Sequence, residues 1–286
     1  MMTVINTNVT SLFAQQALNS NNVDLQHTMQ ELSTGKRINT SADDAAGLAI
    51  SSRMTSQING LNQAVRNAND GISMLTTAEG ATNTITNMLQ RMRELAIQAS
   101  NGTYGSSDVK SMDTEYQQLY SEIKRVANTT AWNGMNLLDG TFSGGVGFMV
   151  SEVAGANSHI SASVASFDFT AGATNALVDG FGALSGSYVS ARSADELLGK
   201  ISTAISGINT MRSNLGATIN RLQFTVDNLT NVSTNLSASR SQIEDVDYSQ
   251  ATAQLAKDNV IQQAATAMLA QANQSPQSVL ALLKQG

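Results

Sequence analysis

The sequence predicts a mainly α fold, with long antiparallel coiled-coil helices drawn from both ends of the chain and a small β-hairpin region in the middle. Three observations predict it. Both ends carry apolar residues that repeat at seven. Two interior stretches step by three and four over many turns. Between these lies a glycine-scattered segment, in a chain whose only proline is Pro276.

Near the start, Leu18, Leu25 and Leu32 recur at seven, with Met29 between; near the finish, Leu255 and Leu269 stand fourteen apart, and Ile261 and Met268 add a second row. Heptad spacing keeps one apolar seam turned to a partner helix. An isolated helix is marginal in water, so the two ends must pair with each other or with neighbouring molecules. Leu18, Leu25, Leu32, Leu255, Ile261, Met268 and Leu269 are therefore the candidate assembly seam.

Ser41, with Asp43 and Asp44 in the following turn, reads as a helix start, its side chains accepting orphan amides at the positive dipole end. Ile58, Leu61, Val65, Ala68, Ile72 and Leu75 then alternate steps of three and four. One extra step of three to Ala78 reads as a stammer before Thr82, Ile85, Leu89, Met92, Ala96 and Ala99 resume the pattern. Residues 44 to 99, if all helical, make a rod ~84 Å long. Asn101-Gly102 and Gly105 end it. Val109, Met112, Tyr116, Leu119, Ile123 and Val126 mark a second amphipathic helix, expected antiparallel on the first and closed by Asn133-Gly134.

From Leu137 to about Arg192 short apolar bursts such as Phe148-Met149-Val150, and the alternation of Ile160, Ala162 and Val164, predict β-hairpins with loops. Ser193 and Glu196 suggest a capping box opening a third stripe, through Ile201, Ile205, Ile208, Met211, Leu215, Ile219, Leu222, Val226, Leu229 and Leu236. Residues 241 to 249 read as a connector to the terminal helix.

Composition narrows the function. Charged residues are 13% of the chain, about half the usual share, and Asn, Gln, Ser, Thr and Ala take their place. Such surfaces repel one another weakly and suit dense self-packing. A net charge of -6 argues against a nucleic-acid binder, which needs a basic face. The chain has no cysteine, so disulfides, thiolate catalysis and cysteine-bound zinc are excluded. No basic n-region with an apolar run opens the chain, and no stretch approaches the roughly 20 apolar residues of a membrane span; composition alone makes the cytoplasm the default.

No catalytic constellation forms. His27 and His159 lack the partners of a zinc-protease helix. Gly35-Lys36 lacks the upstream glycine of a phosphate loop, and Gly180, Gly182 and Gly186 miss the dinucleotide spacing. Ser107 with Lys110, and Ser121 with Lys124, match a loose acyl-transfer pattern without its companion motifs. Asp43 and Asp44 point about 100° apart on a helix, which favours capping over metal or acid-base work. The sequence calls for no enzyme activity, cofactor or metal.

The run Leu32-Ser-Thr-Gly-Lys-Arg-Ile-Asn39 followed by Asp43-Asp-Ala-Ala-Gly-Leu-Ala-Ile-Ser51 resembles bacterial flagellin, as do Ile5-Asn-Thr-Asn8, Asn69-Asp-Gly-Ile-Ser73, Leu89-Gln-Arg-Met-Arg-Glu-Leu95 and Asn101-Gly-Thr103. Leu215-Gly-Ala, Asn220-Arg-Leu222 and Ala270-Gln-Ala-Asn-Gln274 are similar to the carboxyl-terminal flagellin signature. The resemblance covers about 1 to 140 and 193 to 286 and indicates a short form with little or no outer domain. Trp132 departs from it, standing where many relatives have phenylalanine.

The resemblance implies a terminal coiled-coil core domain of residues 1–43 plus 247–286, and a rod-like helical domain of 44–246 that includes the β-hairpin and variable region 137–192. It implies a structural subunit that self-assembles through its terminal helices into the flagellar filament for swimming motility. Terminal helices without partners are then expected to order on assembly. It overrides the cytoplasmic default in favour of an extracellular filament, exported by the flagellar type III route without a cleaved signal peptide. Implied partners are further flagellin subunits, an export chaperone, the cap and hook-associated proteins, and a host Toll-like receptor reading an epitope at Arg91, Leu95 and Glu115; no nucleic acid and no membrane are implied. The rival reading within the family is a hook-filament junction protein.

Overall fold

The computed structural model describes residues 8–101, 103–140, 145–151, 158–162 and 191–284, with backbone alone at 191–196 and 275–284. Five helices and four short strands are seen there: α1 (Val9–Thr34), α2 (Ala45–Ser100), α3 (Ser106–Thr129), β1 (Ala131–Trp132), β2 (Met135–Asn136), β3 (Val146–Met149), β4 (His159–Ala162), α4 (Ala191–Glu244) and α5 (Tyr248–Lys284). They group into two compact units, residues 1–56 with 234–286, and residues 57–233. The fold is mainly helical with a small β region in the middle, as the sequence predicts. Val164, the glycines at 180, 182 and 186, and the side chains of Ser193 and Glu196 lie outside the described residues.

In the unit of residues 57–233, α2, α3 and α4 share one core. Leu75, Ile85, Leu89 and Met92 of α2, Tyr116 and Ile123 of α3, and Ile201, Ile208, Met211, Leu215 and Leu222 of α4 are all buried in it. The α2 seam differs from expectation in one respect. One row of its buried positions runs 61, 64, 68, 71, 75, 78, 82, 85, 89, 92, 96 and 99, in unbroken steps of three and four, with Met74, Thr86 and Leu95 buried beside it. The extra step of three thus falls at Ile58, Leu61 and Ala64, and not at Ala78. Val65 and Ile72 lie half-buried at the flank, while Ala64 and Gly71 occupy the seam. Small residues let the packed neighbours approach closely, so size complementarity overrode hydrophobicity.

Tyr104 N–H donates to Asn101 O at 3.4 Å ahead of α3, whose Asp108 carboxylate accepts from the Gly105 N–H at 3.1 Å. The β region begins earlier than Leu137. β1 and β2 pair across Asn133 (φ 48°) and Gly134 (φ 79°), the two left-handed residues a tight hairpin requires. Leu137 and Leu138 follow it into the core. β3 and β4 pair antiparallel with Phe148 opposite Ile160, and Ile160 and Ala162 alternate into the interior as their period-two spacing predicts.

In the other unit, Gly35 ends α1 in the left-handed conformation (φ 73°), its N–H donating to Glu31 O at 2.8 Å. Ser41 does not start α2. The helix opens at Ala45, capped by Asp44, whose Oδ1 accepts from Gly47 N–H at 2.8 Å. Asp43 instead folds the preceding turn, with Oδ2 accepting from Asn39 N–H at 2.9 Å and Thr40 N–H at 2.8 Å. The connector before α5 is only residues 245 to 247, because α4 stays helical to Glu244. Asp247 caps α5, accepting from Ser249 N–H at 2.9 Å.

Candidate assembly surface

α1 and α5 lie antiparallel, since Asn8 Nδ2 donates to Ala272 O at 2.7 Å, Asn21 Nδ2 to Asp258 O at 3.0 Å and Tyr248 OH to Leu32 O at 3.5 Å. The less exposed face of α1 runs through Ser11, Ala14, Leu18, Asn21, Leu25, Thr28 and Leu32. That of α5 runs through Ala251, Leu255, Asp258, Gln262, Ala265, Leu269 and Ala272. Both alternate by three and four, so Leu18, Leu25, Leu32, Leu255 and Leu269 belong to one seam within the chain.

Ile261 and Met268 do not belong to it. Both are exposed, Met268 to 65%, and Met29 of α1 is likewise exposed. With Val260 on α5, and Val9, Leu12, Phe13 (69% exposed) and Val23 on α1, they leave large apolar side chains in water outside the seam. The seven-residue repeat marked these residues, but a repeat alone does not separate the row that meets the partner helix from the row one position away.

Beside the helix pair the chain is stitched at its two turns. Lys36 and Asp245 form an antiparallel bridge, Arg37 N–H donates to Glu244 O at 2.7 Å, and Val246 N–H to Gly35 O at 3.1 Å. Arg37 Nη2 donates to Ile243 O at 2.7 Å. The Glu244 carboxylate is buried among Lys36 Nζ and Ser51 Oγ, both donating to it, with Arg240 Nε 4.0 Å away. These donors hold Glu244 below the usual carboxylate range, the Lys36 bond foremost. Asp43 is lowered to about 2, chiefly by the Thr40 and Asn39 amides it accepts from. Sequence reading placed Glu244 in the 241 to 249 connector, whereas it ends a helix and faces Lys36, a charge pairing only the tertiary fold reveals.

In the other unit, Arg91 Nε donates to Glu115 Oε1 at 2.9 Å and Arg91 Nη1 to Glu94 Oε2 at 3.1 Å, all on an open surface. Both carboxylates raise the Arg91 guanidinium's affinity for its proton, Glu115 first. Leu95 does not share that surface, being 3% exposed within the helical core. Among the described residues, no group of three or more His, Cys, Asp or Glu is placed to hold a metal ion, and no helix is long and apolar enough to cross a membrane.

The chain matches the family model "Bacterial flagellin N-terminal helical region" over residues 5–143 and "Bacterial flagellin C-terminal helical region" over residues 198–283. It is 42% identical over 260 residues to a flagellin of Halalkalibacterium halodurans, covering 91% of this chain and 92% of the relative. It is 39% identical over 269 residues to flagellin FlaB1 of Treponema pallidum, with the same coverage. A putative flagellar hook-associated protein from Vibrio parahaemolyticus shares the fold, with a TM-score of 0.59 over 71% of this chain and all of that one, at 15% identity. No finding favours the junction-protein alternative. With both family models matched and near-full-length relatives at about 40% identity, the chain belongs to the bacterial flagellins, the structural subunits of the flagellar filament.

Proposed function

We propose that copies of this chain polymerise through the outward apolar faces of α1 and α5, residues 1–43 with 247–286 forming the domain that lines the filament and 44–246 the rod-like helical domain. The observation that carries this reading is the set of exposed Val9, Leu12, Phe13, Val23, Met29, Val260, Ile261 and Met268, outside a seam that α1 and α5 already fill. Large apolar side chains left in water mark a surface that a partner covers. The filament is extracellular and serves swimming motility, and the subunit leaves the cell through the flagellar exporter without cleavage of a signal. Family likeness supports an export chaperone on the α5 region, the distal cap and the hook-associated proteins as further partners.

Growth on filament seeds, followed by electron microscopy of the full chain beside a chain lacking residues 247–286, tests the reading. Filaments from the full chain alone support it. None from either, with the full chain folded, would return weight to the junction protein. A host Toll-like receptor contact is supported only by the accessible pair Arg91 and Glu115. Binding unchanged after Arg91→Ala with Glu115→Ala would rule that contact out.

A further inference from the structure

Two features of the unit of residues 57–233 have no explanation inside one chain. Phe224 of α4 is 74% exposed, and Val232, about two turns further on, is 39% exposed. Gly80 of α2 is exposed, and a Cβ built on it would meet nothing within 4 Å. Glycine inside a helix costs stability relative to alanine, and its compensating use is a close approach by another group. Among the described residues none makes that approach, so Gly80 leaves a notch in the face of α2. The surfaces around both features are nearly free of charge. Between Asp70 and Arg91 no exposed residue of α2 is charged, and between Ser202 and Val232 the exposed residues of α4 carry charge only at Arg221 and Asp227. The shorter α3 exposes Asp108, Lys110, Lys124 and Arg125, closer to what a solvent-facing surface carries. Depletion of charge marks the core of a protein interface.

Phe224 cannot reach the notch of its own chain. α2 and α4 run antiparallel, with Ser233 Oγ donating to Asn62 Oδ1 at 3.2 Å and Arg212 Nη2 3.8 Å from Glu79 Oε1. The second pair sets Arg212 level with Gly80, and Phe224 stands ~18 Å further along α4, well beyond the length of its side chain. We propose that Phe224 of one copy seats over Gly80 of a second copy displaced along the helix axes. Knob and notch are different surfaces, so the contact is heterologous. Each copy then offers a free Phe224 and a free Gly80 to its neighbours, and such contacts build an open helical array when the rotation does not close. The proposal rests on this chain being a filament subunit, and not on which faces of α1 and α5 are covered.

Seeded growth of the full chain, followed by electron microscopy, tests it. Gly80→Gln should raise the unfolding midpoint of the free chain, as helix propensity requires, and yet slow extension about tenfold, because the filled notch rejects the ring. Phe224→Ala should leave unfolding unchanged and slow extension by about the same factor, as truncating an interface aromatic does. A p-benzoylphenylalanine at position 224, irradiated in filaments mixed with isotope-labelled copies, should cross-link to residues 76–84 of a different copy. Growth of both variants at the parent's rate would overturn the proposal, and so would a cross-link landing elsewhere or within one copy. Either result beside normal growth of the parent removes this contact and leaves assembly through α1 and α5 standing. A parent that extends no seeds would overturn both.

Discussion

Phe148 lies so close to Gly71 that a Cβ at position 71 would stand 2.8 Å from its Cδ1 and 3.0 Å from its Cγ. The β3 and β4 hairpin therefore seats on α2 where the seam has no side chain. Asn67 Nδ2, donating to Met149 O at 3.2 Å, fixes the same strand one turn earlier.

Gly71→Ala should destabilise the chain by about 1 kcal/mol, overpacking of ~1–3 kcal/mol being partly offset by helix propensity. In a Phe148→Ala background the same change should stabilise by about 1 kcal/mol. Gly80→Ala, with nothing within 4 Å of its built Cβ, is the control and should stabilise in either background. Denaturant midpoints of the double-mutant cycle check this; equal effects of Gly71→Ala in both backgrounds would refute the contact's role.

Acid should loosen the junction of the terminal unit. Glu244 has a folded pKa below its ordinary 4.5, so its contribution is present above that value and lost as pH falls through the folded pKa. Asp43 repeats this lower down, between 3.8 and about 2. Glu244→Gln should cost about 2 kcal/mol at neutral pH and flatten the first part of the acid unfolding profile. A profile identical to the parent's would show that Glu244 does not carry it.

Leu95→Ala should cost about 2–5 kcal/mol, as a leucine truncated in a close-packed core. Arg91→Ala and Glu115→Ala should leave thermal unfolding nearly unchanged, since exposed ion pairs contribute little. A receptor assay on a Leu95 variant would thus report unfolding as well as binding, which calorimetry of each variant separates.

Much of this fold was legible in the chain. The leucine rows at 18, 25 and 32 and at 255 and 269 identified the terminal helix pair, and the stripes of α3 and α4 fell where their apolar residues predict. The errors share a cause. Reading by hydrophobicity chose Val65 and Ile72 where the seam uses Ala64 and Gly71, and did not separate the second row of Ile261 and Met268 from the Leu255 and Leu269 row that meets α1. Close packing selects by size and direction, which a repeat alone does not carry. Asn133-Gly134, read as the close of the second helix, is instead the turn of a hairpin that follows the helix end at Thr129, and strands of two residues each leave almost no alternation to read. The Glu244 cluster joins residues 193 to 208 positions apart, beyond any local pattern.

The most direct measurement is seeded filament growth by the variant Phe13→Asp with Met268→Asp, which alters only exposed positions outside the α1 and α5 seam. Electron microscopy should show no extension from the seeds, while unfolding of residues 57–233 stays as in the parent. Filaments of normal length from that variant would contradict assembly through the outward apolar faces.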